Sequence, residues 1–166
     1  MAQIYTDRLL LMKCPLDLAK SIILNRKKLE ERSPIIIPPD WPSIQLKSIL
    51  PYYIEMLEKA PMVNDLQVWL IIDAYARKLI GSIRLTSSST NSKTLDLGYE
   101  IIASYRNQGF GYEAVQAVVD WLLRSGNATK ITADCDQTNT ASIRILEKLG
   151  MRCIGKEAPF LSWELH

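Results

Sequence analysis

Residues 95–124 read LDLGYEIIASYRNQGFGYEAVQAVVDWLLR, and this stretch decides the fold prediction. Its first part, Leu95 to Ala103, is rich in aliphatic residues and is typical of a strand. Its second part predicts a helix, because apolar side chains recur at the i, i+3, i+4 and i+7 spacing of one helical face: Val115, Val118, Val119 and Leu122. Gly126 follows as a helix stop. The stretch therefore predicts a strand, a glycine-bearing turn and an amphipathic helix in direct succession.

The turn between this strand and this helix contains Arg106, Gly109 and Gly111. Glycine lets the backbone approach a ligand closely and adopt unusual dihedral angles. The first turn of the helix adds unpaired N–H groups and the positive end of the helix dipole, and Arg106 can add a charged contact. The turn predicts an anion or phosphate site, with a tight turn that binds nothing as the alternative. It is neither a P-loop nor the three-glycine dinucleotide fingerprint.

Strands and helices surround this unit on both sides. Four prolines, at positions 34, 38, 39 and 42, separate two early helices, because each removes a backbone donor and restricts its predecessor. Asn139 or Thr138 is the candidate N-cap of the last helix. The order β-α-α-β-β-β-α-β-α-β-β predicts an α/β or α+β fold with a mixed sheet. Outside 95–124, we predict a strand at 4–13, helices at 15–29 and 43–59 (the second interrupted or kinked near Pro51), strands at 68–73, 79–86 and 131–135, a helix at 141–149 and a closing hairpin at 151–165.

Length, charge and cysteine content limit the function classes. The 166 residues fit a single domain, 1–166, which buries roughly 70% of its unfolded surface. Twenty Lys and Arg residues against 18 Asp and Glu residues give a net charge of +2, which is too balanced to predict nucleic-acid binding. Three cysteines without a CxxC motif favour a reducing compartment. The absence of a secretory signal and of a long apolar run predicts a cytoplasmic protein without a membrane partner.

The only histidine is His166, the last residue. Ser-His-Asp and Cys-His catalysis both need a positioned imidazole, which a chain terminus rarely supplies. The usual histidine-containing zinc sites are disfavoured for the same reason, so we expect no metal. Cys135 lies in a predicted strand and is expected to be a buried, inert thiol rather than a nucleophile.

Three segments together resemble the GNAT N-acetyltransferases. The R-x-x-G-x-G pattern of Arg106 to Gly111, followed by Tyr112-Glu113-Ala114, resembles the family's coenzyme A signature. Residues 139–151, NTASIRILEKLGM, resemble its second motif, N-x-x-S-x-x-x-x-E-K-x-G-hydrophobic. Residues 6–11, TDRLLL, resemble the opening strand of the ribosomal-protein N-acetyltransferase branch, which is RimJ/RimL-like. These segments occur in the family's order across nearly the whole chain.

The resemblance implies a GNAT-like fold with a mixed, mostly antiparallel central sheet flanked by helices. It implies an enzyme that transfers an acetyl group from acetyl-CoA to a primary amine through a tetrahedral intermediate. The pantetheine arm would lie along the strand near Ile101, Ile102 and Ala103, and Asn139 would contact it. The pyrophosphate would sit beside Arg106 on the backbone N–H groups of Asn107, Gln108, Gly109, Phe110, Gly111 and Tyr112. We expect a monomer or homodimer.

The resemblance also nominates catalytic groups. Ser142 is the candidate proton donor to the leaving thiolate, with a locally bonded helix-start hydroxyl as the alternative. Many relatives carry a tyrosine four residues later, where this chain has Leu146. For the base, Asp96 and Glu100 share strand parity with Gly98, so the three point to one side. Either carboxylate could be merely solvated, and a bound water could replace both.

The acceptor site is expected between the early helices and the closing hairpin. Five aromatic residues of that region could line a pocket or pack in the core: Trp41, Tyr52, Tyr53, Trp69 and Trp163. The branch resemblance favours a protein N-terminal α-amino group or a small-molecule amine as acceptor. Two other functions stay open: a catalytically silent acyl-CoA-binding or sensor module, and a phosphate or nucleotide binder unrelated to acyl transfer.

Overall fold

The computed structural model describes residues 2–166, which form eight strands, five α-helices and one short 3-10 helix. The N-terminal half contains β1 (Gln3–Tyr5), β2 (Leu9–Lys13), α1 (Leu16–Leu24), α2 (Arg26–Arg32), α3 (Ile44–Lys59), β3 (Leu66–Asp73) and β4 (Lys78–Ser87). The C-terminal half contains β5 (Thr94–Ile101), the 3-10 helix (Ala103–Tyr105), α4 (Phe110–Arg124), β6 (Lys130–Asp136), α5 (Thr140–Lys148), β7 (Arg152–Glu157) and β8 (Phe160–Leu165).

The strands form one sheet in the order β1-β2-β3-β4-β5-β6-β8-β7. Every neighbouring pair is antiparallel except β5 and β6, which are parallel. That parallel pair requires a crossover connection, which α4 provides. The structure confirms the predicted mixed, mostly antiparallel sheet flanked by helices.

The core lies between the sheet and its helices. All eight residues of β3 are buried, including the polar Gln67 and Asp73 on either side of its apolar run at 68–72. The predicted apolar face of α4 is buried as well, and each of these side chains contributes roughly 1.5–3 kcal/mol by leaving water. Trp121 on α4 packs edge-on against Trp69 on β3, with ring centroids 5.3 Å apart. This packing fixes α4, and with it the turn that precedes the helix, against the sheet.

The predicted strand at 4–13 is two strands. The Thr6 N–H donates to the Leu9 carbonyl at 3.0 Å, and the Thr6 hydroxyl accepts from the Leu9 N–H at 3.0 Å. This turn folds β1 back on β2, where Ile4 pairs with Leu11. The predicted helix at 15–29 is also divided, because Asn25 leaves helical geometry with φ of −142°. The element order therefore gains one strand and one helix over the prediction.

Proline has different effects inside α3 and in the proline-rich segment that precedes it. Helix α3 continues through Pro51 without the predicted interruption, although that residue donates no hydrogen bond to the preceding turn. The proline-rich segment before α3 is not helical, and Ile36 within it forms a single bridge to Lys78. The segment ends at Ser43, whose hydroxyl accepts from the Leu46 N–H and caps α3. The prolines thus set where α3 begins.

Candidate active site

The site begins where β5 and β6 separate. Their parallel pairing covers only Thr94–Asp96 against Lys130–Thr132. Beyond that point, residues 97–101 of β5 have no strand partner on this side, while β6 stays paired with β8. A backbone edge left unpaired in this way presents N–H and C=O groups to a ligand. The two strands therefore diverge after Asp96.

A cleft of about 960 Å3 fills this gap and continues to the start of α4. Ten residues nominated from the sequence line the cleft: Glu100, Ile101, Arg106, Asn107, Gly109, Phe110, Gly111, Tyr112, Asn139 and Ser142. Four other nominated residues are not part of its lining: Asp96, Ile102, Ala103 and Gln108. The structure therefore brings both recognised motifs into one space.

The turn before α4 has the backbone that the glycine pattern predicts. Asn107 and Gly109 lie in the left-handed region, with φ of 59° and 83°. Gly109 is the N-cap of α4, so the first N–H groups of this helix have no carbonyl acceptor one turn earlier. A Cβ atom on Gly111 would come within 3.3 Å of the Ile145 side chain, where α4 approaches α5. The turn can hold an anion on its exposed donors.

Charged side chains surround this turn. The Arg106 Nε atom donates to the Ile101 carbonyl at 2.9 Å, which ties the turn back to the end of β5. Lys148 lies 5.3 Å from the centre of the Tyr112 ring, and Arg144 also lines the cleft. Arg106 and Lys148 thus lie at the end of the cleft where the helix donors are exposed, and α5 adds a further cation, Arg144, and a carboxylate, Glu147, to the cleft lining. This end has the charge and donors that a pyrophosphate requires.

Sequence reasoning missed an ion pair that braces the turn from behind. Arg8 donates from Nε to Glu113 at 2.7 Å and from Nη1 to the Gln108 carbonyl at 3.1 Å, and its guanidinium lies 4.0 Å from the centre of the Phe110 ring. Burial raises the pKa of Glu113, but hydrogen bonds from Thr6 and Arg8 outweigh it and hold that pKa below its usual value. The opening segment and the start of α4 are therefore in direct contact, and the sequence of neither segment predicts this contact.

The two candidate bases occupy different places. Pairing of β5 with β4 puts Asp96, Gly98 and Glu100 on one face, as strand parity predicted. Glu100 lines the cleft, and its Oε1 atom accepts from the Ser43 N–H at 3.3 Å and the Ser82 hydroxyl at 3.2 Å. Asp96 lies four residues away, roughly 13 Å along the strand. It accepts from the Thr132 hydroxyl at 3.1 Å, outside the cleft.

Burial raises the pKa of Asp96, and the hydrogen bond from Thr132 opposes part of that rise. The nearby Asp134 carboxylate also raises the pKa, while Arg84 lowers it. Burial and the neighbouring side chains therefore account for the raised pKa of Asp96. A perturbed pKa is common at active sites, but structural networks produce it as well.

Helix α5 presents Ser142 to the cleft. The Asn139 Oδ1 atom accepts from the Ser142 N–H at 3.1 Å and caps the helix, which confirms Asn139 as N-cap. Among the described residues, no hydrogen bond ties the Ser142 hydroxyl to its own helix, so the local bonding considered as the alternative is not seen; its side chain instead opposes the rise that burial causes in the Tyr99 pKa. Leu146 is 1% exposed and belongs to the core. The side chain at that position cannot take part in chemistry in the cleft.

Tyr99 is a further cleft residue that the sequence did not single out. It precedes Glu100 on β5 and points to the opposite face. Its hydroxyl is buried and has no hydrogen-bond partner among the described residues. The alternation of side chains along β5 predicts the face on which Tyr99 lies, but no sequence pattern predicts that its hydroxyl is unpaired.

The aromatic residues proposed for the acceptor region are mostly core. Four are buried: Trp41, Tyr53, Trp69 and Trp163. Tyr52 is 57% exposed, and none of the five lines the cleft. Ser43 and Gln45, at the end of the proline-rich segment, line it instead. Cys135 is buried, and burial raises the pKa of its thiol, which fits the expected inert cysteine.

A protein-family description matches this arrangement. The description is that of an acetyltransferase (GNAT) domain, and it covers residues 21–152. The chain belongs to the GNAT acetyltransferase family. This confirms the resemblance read from the two motifs and the opening strand. Strands β1, β2 and β8, and all of β7 except Arg152, lie outside the matched range but belong to the same sheet.

Relatives of this GNAT protein agree with the assignment. The N-acetyltransferase YjdG of Bacillus subtilis is 27% identical over 124 residues, which are 75% of this chain and 74% of YjdG. The ribosomal-protein-S5-alanine acetyltransferase of Vibrio fischeri shares the fold, with a TM-score of 0.69 and 17% identity over 99% of this chain and 96% of that one. RimL, a ribosomal L7/L12 alpha-N-protein acetyltransferase solved with coenzyme A, has a TM-score of 0.71 and 17% identity over 99% and 97% of the two chains.

The GNAT protein is an acetyl-CoA-dependent N-acetyltransferase, as its sequence predicted. For the helices within residues 2–166, none has the length and apolar character needed to cross a membrane.

Proposed function

We propose that this GNAT protein acetylates a primary amine that attacks acetyl-CoA directly in the gap between β5 and β6. The single observation that supports this is the continuous cleft, which joins the exposed N–H groups at the start of α4 to Glu100 and Ser142. The cleft offers an anion site at one end and two groups suited to proton transfer at the other. We also propose that residues 1–166 act as one domain.

The nominated residues fit the acyl donor in two parts. The N–H groups around Gly109 and Gly111, with Arg106, would hold the pyrophosphate. The unpaired edge of β5 near Ile101 would pair with the pantetheine amides, and the Asn139 side-chain amide would face the same arm. Ile102, Ala103 and Gln108 are outside the cleft lining, so their contribution would come from backbone position rather than from side chains.

Glu100 is the base that the geometry favours. Both of its hydrogen bonds, from Ser43 and Ser82, reach Oε1, which leaves Oε2 without a partner among the described residues. These bonds fix the carboxylate while one oxygen stays available for a proton. The attacking amine must be neutral, although a free lysine titrates near roughly 10.4. Asp96 would have to act over about 13 Å, which requires intervening water.

Ser142 is the proposed donor to the leaving sulfur. Its hydroxyl lines the cleft at the start of α5, and the cap from Asn139 fixes its backbone. The tetrahedral oxyanion would be stabilised by backbone N–H groups of the unpaired β5 edge. A bound water remains the alternative carrier for either proton.

The acceptor that we propose is a protein N-terminal α-amino group or a small-molecule amine. RimL, which has the same fold, is named as a ribosomal L7/L12 alpha-N-protein acetyltransferase, and this supports the first class. The acceptor would enter beside Ser43 and Gln45, which line the cleft near Glu100. The proline-rich segment before them would shape this entrance.

A thiol-release screen tests the proposal. Purified protein is mixed with acetyl-CoA and a panel of amines, amino acids, polyamines and peptides with free N-termini, and free thiol is measured. Melting temperature is recorded in parallel with acetyl-CoA, ATP and NAD, because a ligand that binds only the folded state raises it. We expect a shift with acetyl-CoA alone and thiol release with at least one amine. A shift without release would favour the silent acyl-CoA-binding module; no shift would refute the site.

A further inference from the structure

The guanidinium of Arg84 is a charged group of the cleft to which the proposed reaction gives no role. Arg84 lies on β4 opposite Gly98 of β5, and its half-buried side chain lines the cleft. Among residues 2–166, this side chain forms no ion pair within 4.0 Å and no hydrogen bond. An arginine presents several N–H donors in a planar fork. A fork left without an acceptor in a ligand cleft is available to an anion.

Gly98 determines where this guanidinium lies. A Cβ atom built on Gly98 would come within 2.8 Å of the Arg84 Nη2 atom and 3.4 Å of its Cζ atom. The guanidinium therefore lies over the β5 backbone at position 98, in space that the side chain of any other residue type would enter. Glu100 is on the same face, two residues and roughly 7 Å further along β5. The free cation and the proposed base are thus neighbours on one wall of the cleft.

The two carboxylates that flank Gly98 on this face have other partners. Glu100 accepts two hydrogen bonds from serine groups, and Asp96 accepts one from a threonine hydroxyl. Neither carboxylate comes within 4.0 Å of the Arg84 guanidinium, which acts on Asp96 only as a nearby charge that lowers its pKa. The donors of Arg84 therefore remain available to an anion that enters the cleft.

The position of Arg84 separates it from the phosphate end of the cleft. The donors proposed for the pyrophosphate begin at Arg106, beyond the end of β5, whereas Arg84 lies opposite a residue that precedes Glu100. The Glu100 carboxylate accepts from the Ser43 N–H, so the proposed acceptor entrance is over this same face. An anion bound by Arg84 would therefore belong to the acceptor rather than to acetyl-CoA.

We propose that Arg84 determines acceptor specificity by binding a carboxylate that lies a few bonds from the amine to be acetylated. This rests on the proposed function of the cleft. The amine must reach Glu100 while the carboxylate reaches Arg84, and the closeness of these two side chains sets the spacing. A planar fork matches a carboxylate with two charge-assisted hydrogen bonds. The carboxylate belongs either to a free α-amino acid or to an acidic side chain next to a peptide N-terminus.

The charge on this wall gives the cation a selective effect. Asp96 and Glu100 would repel an acceptor that carries a carboxylate, and Arg84 lies between them. Without the guanidinium, the same wall would therefore favour an uncharged acceptor, because like charges brought together in a cleft cost free energy. Loss of the cation is expected to change which acceptor is preferred, and not only how fast the enzyme works.

Two matched pairs of acceptors test this. One pair is alanine and alaninamide; the other is the C-terminally amidated peptides Ala-Glu-Ala-Ala and Ala-Gln-Ala-Ala. Thiol release gives kcat/KM for each acceptor, corrected for the fraction of neutral amine. In at least one pair, wild type should prefer the carboxylate by about tenfold or more, since a site built for a charged partner rejects the analogue that lacks it. A preference in the first pair alone identifies a free amino acid, and one in the second pair alone identifies an acidic N-terminal segment.

The variant Arg84→Gln should reduce this preference about tenfold or more, chiefly through KM for the carboxylate-bearing acceptor. Arg84→Lys keeps the charge but not the planar fork, so it should retain only part of the preference. Arg32→Gln is the matched control, because Arg32 is exposed on α2 outside the cleft lining and its loss removes the same charge from the chain. The control should show the wild-type preference.

Equal use of both members of each pair by wild type overturns the inference, as does a preference that survives Arg84→Gln. A fall in kcat/KM that is the same for both members of a pair makes Arg84 a structural cation and also overturns it. If Arg84→Gln does not fold, Arg84→Lys carries the comparison, and an undiminished preference in that variant overturns the inference. Failure of the proposed function is distinct, because then wild type releases no thiol with any amine.

Discussion

The phosphate-binding role of the turn before α4 can be tested with two substitutions of Gly109 that differ by a single charge. Gly109 has φ of 83°, and a Cβ atom there would lie 3.3 Å from the Arg8 guanidinium. Gly109→Asn and Gly109→Asp introduce side chains of nearly equal shape, and both types tolerate left-handed backbone better than most residues. The backbone strain, roughly 1–2 kcal/mol, is therefore shared. The two variants differ in one negative charge, which lies near the exposed N–H groups but also beside the Arg8 guanidinium, so that cation offsets part of its effect on the phosphates.

The size of the charge effect follows from Coulomb's law. Two unit charges 4 Å apart interact by about 1 kcal/mol in water and by about 4 kcal/mol at the effective dielectric constant of a protein surface. Since about 1.4 kcal/mol corresponds to a tenfold change in affinity and Arg8 partly neutralises the added carboxylate, we expect the lower end of this range: Gly109→Asp should bind acetyl-CoA about fivefold more weakly than Gly109→Asn. Folding should differ little, because a carboxylate near a helix N-terminus is itself slightly stabilising.

Calorimetric titration with acetyl-CoA at low ionic strength measures the difference. Gly126 provides the control pair, because its φ is 71° and nothing lies within 4 Å of a Cβ atom built there. Gly126→Asn and Gly126→Asp should therefore bind acetyl-CoA equally well. If Gly109→Asp and Gly109→Asn also bind it equally, the phosphates do not sit on this turn and the assignment of the cleft fails.

Three further variants address the proton transfers and the brace behind the turn. Glu100→Gln should lower kcat about 100-fold, whereas Asp96→Asn should change it less than twofold; the reverse result in initial-rate assays would move the base to Asp96. Ser142→Ala should lower kcat at least tenfold with little change in the affinity for acetyl-CoA, and full turnover would remove the serine from the reaction. Because the pKa of Glu113 is lower in the folded than in the unfolded protein, the ionised carboxylate stabilises the fold fully at pH values above the unfolded-state pKa. That stabilisation is lost as the pH falls through the folded-state pKa. In urea unfolding, Glu113→Gln should therefore lower the free energy of unfolding by about 1–2 kcal/mol at pH 7. The variant's free energy of unfolding should also fall less steeply than that of wild type as the pH drops below about 4.3.

The parts of the site that could be predicted are local in sequence. The turn at Gly109 and the buried face of α4 follow from residues within one strand–turn–helix unit, where spacing alone determines the geometry. Asn139 was one of two adjacent candidates for the cap of α5, and local bonding to Ser142 decides between them. Strand parity also placed Glu100 correctly relative to Gly98, because side chains alternate strictly along a strand.

The parts that could not be predicted depend on contacts distant in sequence. Arg8 and Glu113 are separated by 105 positions, and neither motif states that they pair. Parity put Asp96 on the same face as Glu100, but only the paired length of β5 and β6 shows that Asp96 lies before the strands separate. The turn at Thr6 was missed for another reason: its side-chain hydrogen bond to Leu9 interrupts a stretch whose composition is uniformly strand-like.

The open gap between β5 and β6 has a cause in the strands on either side. Residues 81–87 of β4 pair with β5 along 95–101, and residues 160–165 of β8 pair with β6 along 131–136. Each strand is therefore held along its length by its outer neighbour, so the two can diverge after Asp96 without either becoming loose. A ligand that enters the gap does not have to order the walls, and that lowers the cost of binding. The closing hairpin of β7 and β8, which carries none of the nominated catalytic or coenzyme-binding residues, is thus part of what keeps the active-site cleft open.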